Sequence, residues 1–143
     1  MLKKILFGGE ANLSAPANIG LSLLRIFAGI ALAFGHGIGK VPPSEGFIKA
    51  VGKMGFPMPG FFAWAAGISE FFGAIFLALG LFTRLSSFFV GFTMFVGLVG
   101  VHLNDPFEKQ EKAFLYLFIA LLFLFKGASD WSIDSFIRGD GGE

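Results

Sequence analysis

Long apolar runs separated by short polar stretches organise this chain. Four runs stand out, at about residues 17–39, 60–82, 85–103 and 108–126, with a polar tail over 127–143. At about 1.5 Å per residue, each of the first three is long enough to cross a hydrocarbon core of about 30 Å. The fourth has a shorter apolar part, residues 113–125. It spans if its charged start (Glu108, Lys109, Glu111, Lys112) lies in the interface and Lys126 snorkels at its end. The pattern predicts an all-α fold in one domain, an integral membrane four-helix transmembrane bundle. An even number of spans puts both termini on one side, called side A; the opposite side is side B.

The connections carry their own signals. Ser14 and Pro16 read as a helix start, with Ser14 as N-cap and the proline in the first turn. Pro42 and Pro43 end the first span. Phe47, Val51 and Met54 then fall at i, i+4 and i+7 with Lys49 and Lys53 off that face, which predicts a short interfacial helix; an irregular loop is the alternative. A very short Thr83–Arg84 turn makes the second and third spans an antiparallel hairpin. Asp105, Pro106 and Glu108 predict an N-cap, N1 and N3 ahead of the fourth span. In the tail, Trp131 fits an interfacial anchor, and Asp130 or Ser132 caps a last short helix. The leader MLKKILF is expected on the membrane surface with Lys3 and Lys4 among headgroups, and the GDGGE end is expected to be mobile. No cleavable signal peptide is expected, because the first apolar run carries Arg25 and leads directly into another span. Gly29, Gly73 and Gly80 read as positions of close helix packing.

Composition sharpens the class. Hydrophobic residues make up 55% of the 143 and the mean hydropathy is +0.75, above the roughly 45–50% of soluble domains. Phe and Gly each occur 21 times against a single Tyr. The net charge of +1 gives no basis for binding nucleic acid. The absence of Cys excludes thiol redox chemistry, Fe–S ligation and Cys–zinc sites.

Charge inside the spans is the chemical signal. Glu70 stands near the middle of the second span and Arg25 inside the first. An ionised group at such depth is expensive and calls for a partner. Counted from the span ends, Arg25 lies roughly 12 Å from side A and Glu70 roughly 15–16 Å from side B. Opposite charges at matching depth predict a buried Arg25–Glu70 ion pair, either a register lock or part of a polar site. A second layer lies near side B, where His36, Lys40 and His102 fall together. These histidines are either solvated carbonyl caps or hydrogen-bonding groups for a quinone or similar ligand at the bundle mouth. Two histidines on different helices at one depth also meet the requirement for bis-histidine haem ligation. No other metal site is read.

The motifs resemble the DoxX family of small four-helix membrane proteins over about residues 21–134. LLRIFAGIALAFGHGIGKV (23–41) supplies Arg25, His36, Gly37 and Lys40. The GFPMP connection follows. ISEFFGAIFLALGLFTR supplies Glu70, Gly73, Gly80, Thr83 and Arg84 in the family's spacing, and GASDWSID closes the pattern at Asp134. The resemblance implies a bacterial or archaeal cytoplasmic membrane and a setting of quinone-linked redox complexes, since some relatives are small subunits of thiosulfate:quinone oxidoreductases. The two layers of ionisable residues, Arg25 and Glu70 at mid-depth and His36, Lys40 and His102 near side B, are the candidate quinone-binding residues in that setting, and a membrane partner or a homo-oligomer is expected. The alternative is a non-catalytic accessory or assembly subunit, and a transporter is a third reading. Lys and Arg divide evenly between the two sides, so the positive-inside rule leaves orientation open. The Lys3–Lys4 leader favours cytoplasmic termini.

Overall fold

Each proline-marked helix start in the sequence is where a helix begins or is about to begin. In the computed structural model, which describes residues 7–9 and 13–139, α1 runs Ala15–Lys40 with Ser14 before it and Pro16 in its first turn. Helix α2, Glu45–Lys53, is capped by Ser44, whose side chain accepts from Phe47 N–H. Helix α3 is Pro59–Leu79, α4 is Thr83–Gly100, α5 is Phe107–Lys126 and α6 is Ile133–Arg138. Ser132 caps α6 by accepting from Ser135 N–H. No strand forms among the described residues, only an isolated bridge between Gly9 and Gly127. The expectations for Lys3–Lys4 and for the last four residues lie outside the described residues.

Helices α1, α3 and α4 are long and apolar enough to cross a membrane. Helix α5 has comparable length, 20 residues, but carries the charged first turns noted above. The four pack around a core of Leu32, Ala33, Ala74, Val90, Met94 and Ala120, drawn from all of them. Large apolar side chains cover the outside, including Phe27, Phe34, Phe92, Phe118 and Phe125. Inside and outside are thus both apolar, as in a helical membrane protein whose solvent is lipid.

Close backbone contact fixes how α1 and α3 pack. A Cβ on Gly29 would strike Ala74 and Ala78; on Gly37, the Glu70 carbonyl; on Gly67, the Lys40 carbonyl. These three contacts define one antiparallel register. Gly73 is less confined, meeting only Val90 at ordinary contact distance.

In this register Arg25 does not meet Glu70. Its Nη1 donates to the carbonyls of Leu77 (3.1 Å) and Ala78 (3.0 Å), and its Nη2 to that of Trp131 (2.6 Å). Two facts explain the departure from depth matching. Helix α1 extends beyond the end of α3 on side A, so residue counts from the two ends share no origin. Side chains also tilt toward their own helix N-terminus. In antiparallel helices Arg25 therefore leans to side A and Glu70 to side B, so they diverge.

Arg25 instead ends a helix. Leu77 and Ala78 supply last-turn carbonyls of α3, which carry the negative end of its dipole. Gly80, with φ +66°, ends that helix and leaves room for the guanidinium, which a Cβ would strike. Asp134 does the complementary work at the start of α4. Its carboxylate accepts from Phe82 N–H and Thr83 N–H, each at 2.8 Å, and its own N–H donates to Gly80 O. The turn is therefore Gly80–Phe82, and Thr83 and Arg84 already belong to α4, contrary to the sequence expectation. Arg84 in turn donates to Phe125 O at the end of α5. The tail is pinned beneath by Ser22–Ser129 (2.8 Å) and by Asp130 N–H to Asn18 (3.0 Å).

This clamp predicts large losses from small changes. Asp134→Ala removes two charge-assisted bonds and should cost at least about 3 kcal/mol. Gly80→Ala should be comparably damaging, because positive φ and the guanidinium both oppose a Cβ. Thermal unfolding in detergent reads both; a midpoint within 2 °C of wild type for either would refute the clamp.

Candidate functional site

The second and first spans each carry one π turn, and the two lie side by side. They are Ala33–Gly37 in α1 and Ser69–Gly73 in α3, in contact where Gly37 meets the backbone of Glu70. Such turns recur at functional sites. In a straight α-helix, residues four apart drift by about 40° around the axis. A turn closed i→i+5 offsets part of that drift, and Leu32, His36 and Lys40 all line one cavity on side B.

The cavity measures about 190 Å³. Helix α3 contributes Glu70. Helix α4 and its end contribute Thr93, Met94, Gly97 and His102. Helix α5 contributes Lys109, Lys112, Ala113 and Tyr116. Lys40 Nζ lies 2.6 Å from both oxygens of Glu70. The carboxylate side chain is 4% exposed and the lysine 32%. Lys40 also stands 5.4 Å from the centre of the Phe47 ring, which brings α2 to the cavity mouth. Lys40 pairs where Arg25 does not because its side chain tilts inward from the side-B end of α1, toward the carboxylate that leans outward from α3.

His36 is exposed at the rim and packs edge-on against Tyr116, with ring centroids 6.0 Å apart. His102 is fixed by Asp105, Nδ1 to Oδ2 at 2.8 Å. That bond holds the Asp105 carboxyl below its ordinary value. Gln110 donates to the carbonyls of His102 and Asp105 and ties the same turn to α5. Asp105 is thus not the N-cap that its position before Pro106 suggested. Helix α5 begins at Phe107 with no side-chain cap, because Asp105 faces back toward His102.

The predicted site residues divide. His36, Lys40, Glu70 and His102 share one cavity. Arg25 lies outside it, held by carbonyls at side A, and the expected Arg25–Glu70 pair is replaced by Lys40–Glu70. The sequence reading missed Tyr116, Lys109 and Lys112. Their signal was present: Lys109, Lys112, Ala113 and Tyr116 fall at i, i+3, i+4 and i+7, one face of a helix. Tyr116 is moreover the chain's one tyrosine among 21 phenylalanines.

The chemistry offered is hydrogen bonding and positive charge around one small ring-sized space. Three lysines, one carboxylate, two imidazoles and a phenol line it, and of the lysines Lys40 meets the carboxylate. An apolar cavity of about 150 Å³ holds benzene, so the scale is that of a single six-membered ring. Among the described residues no group of three metal-ligating side chains forms.

Two outcomes follow from the pairing. Lys40→Ala leaves a buried carboxylate unpaired and should cost about 3–5 kcal/mol. Glu70→Gln should cost less, since the half-exposed lysine can turn to water. Glu70→Gln combined with Arg25→Met should be additive within about 0.5 kcal/mol, because the two groups are not partners. Equilibrium unfolding of all variants in one detergent checks this, and strong Arg25–Glu70 coupling would contradict the register. Asp105 sets a pH response. Its folded carboxyl titrates below the unfolded value of about 3.9, so its contribution is complete above that value and is lost as pH falls through the folded one. Hydrogen exchange in residues 101–110 should therefore quicken on acidification below about pH 4, and Asp105→Asn should remove that step.

The DoxX family model matches residues 20–103, more than half of the chain. The match takes in Arg25, His36, Lys40, Glu70, Gly80, Arg84 and His102, and stops before Asp134. No curated protein and no solved structure matches the chain. An all-helical structure, three helices fit to cross a membrane and this match together make the protein a helical membrane protein of the DoxX family.

Proposed function

We propose that this chain is a quinone-binding membrane subunit of a redox complex, with the side-B cavity as the headgroup site. The observation that carries the reading is the convergence of His36, Lys40, Glu70, His102 and Tyr116, from three helices and the turn after α4, on a space of single-ring size. A quinone ring needs apolar walls and one or two hydrogen-bonding groups at each oxygen. Leu32, Met94 and Ala113 supply the walls, and the polar set supplies the rest. The isoprenoid tail would leave along the phenylalanine-covered outside. The chain carries no evident redox group of its own, so electrons would come from a partner protein or a bound cofactor.

In this reading the protein is one transmembrane domain of four spans, with α5 as the fourth and its charged start in the side-B interface. Helix α2 lies on the membrane surface. The membrane is the cytoplasmic membrane of a bacterium or archaeon, and both termini are cytoplasmic. One observation favours a second reading, an accessory subunit that packs on a larger membrane protein. Among the described residues Phe123 is the single phenylalanine in the buried core, so most of the other rings face outward or lie only partly covered. Those faces suit a protein partner as well as lipid.

Titration of the purified protein with a short-chain benzoquinone tests the first reading. Saturable binding is expected in wild type, with affinity reduced about tenfold or more in Glu70→Gln and in His36→Ala. The absence of saturable binding in wild type would refute it. A partner captured under native conditions, with turnover intact after loss of His36 and His102, would establish the second.

A further inference from the structure

We infer that the cavity selects the reduced, hydroxyl-bearing form of its ligand, a quinol, because Asp105 sets His102 as a hydrogen-bond acceptor. The inference rests on the quinone reading and adds to it which redox form the site holds. A carboxylate only accepts hydrogen bonds. Asp105 Oδ2 lies 2.8 Å from His102 Nδ1, so Nδ1 carries the proton. In a neutral imidazole the other nitrogen, Nε2, then holds the lone pair, and it is the ring nitrogen left for the cavity that His102 lines.

A quinone oxygen has lone pairs and no hydrogen. Set against Nε2 it makes no bond and loses its water. A quinol hydroxyl in the same place donates to Nε2 and still accepts from another group. Tyr116, which also lines the cavity and packs against His36, can donate to that oxygen or to the second one. Asp105 is a positioning residue here; it acts through His102 and does not touch the ligand. The same pair suits proton transfer, because an imidazolium formed at His102 stays bonded to the carboxylate. His102 and Asp105 side chains are 37% and 34% exposed, which gives the proton an aqueous exit on side B. Gln110 holds the carbonyls of both residues, so the dyad is locked to the start of α5.

Calorimetric titration at pH 8 in detergent, without oxygen, tests this with one short-chain methylated benzoquinol and its benzoquinone. The quinol should bind about tenfold tighter or more, the difference between a hydrogen bond made and one missed. Asp105→Asn should bring the ratio to threefold or less, since an amide can donate as well as accept and no longer fixes the tautomer. Nitrogen-15 NMR of the ligand-free wild type should show His102 Nε2 as an unprotonated, accepting nitrogen. A protonated Nε2, equal binding of the two forms in wild type, or a preference that survives in Asp105→Asn would each overturn the inference while leaving the quinone reading in place. Failure of both forms to bind would overturn the reading and the inference together.

Discussion

The contact on which the rest of this structure depends is the close approach of α1 and α3 at Gly29, Gly37 and Gly67. In lipid, apolar side chains gain nothing from meeting each other rather than acyl chains, so helices associate where backbones can come near. Three glycines permit that approach and hold it to one register. The polar contacts between α1 and α3 then follow from that register. It sets Arg25 opposite the end of α3 rather than opposite Glu70. It sets Lys40 beside Glu70, and it brings two π turns together below the cavity.

Charge is sorted by helix end. At side A, Arg25 meets last-turn carbonyls of α3, Asp134 meets the first amides of α4, and Arg84 meets a carbonyl at the end of α5. Each sign sits at the dipole end that favours it, where unpaired backbone groups would otherwise face a medium without water. These bonds join the tail to the hairpin turn and account for Arg25, Gly80 and Asp134 without assigning them a ligand. Side B differs. There the ionisable side chains mostly meet one another, around open space, and that difference separates a structural cluster from a candidate site.

Much of the fold was legible in the residues. Runs of apolar residues marked every long helix, since lipid demands long, internally bonded segments. Ser14, Ser44 and Ser132 lie where helices start, and prolines close to helix starts acted as local geometry requires. The site was legible in composition and not in pairing. His36, Lys40, Glu70 and His102 were identifiable because ionisable groups stand out in apolar runs. Their partners were not. Depth counting treats helices as rods with common ends, but α1 overhangs α3, and side chains on antiparallel helices lean in opposite directions. Asp105 looked like a cap because its neighbours fit a cap; the turn instead directed it to His102.

The sequence by itself determined that this is a helical membrane protein, where its helices lie, which family it belongs to and which residues are chemically unusual. Those properties depend on local pattern, and local pattern is sequence. Tertiary structure alone decided that Glu70 belongs to Lys40, that Arg25 belongs to the ends of helices, and that Tyr116 and Asp105 join the histidines. The reason is that partnership between helices depends on register, tilt and side-chain direction. Those are fixed by contacts among residues tens of positions apart, which no local count along the chain contains.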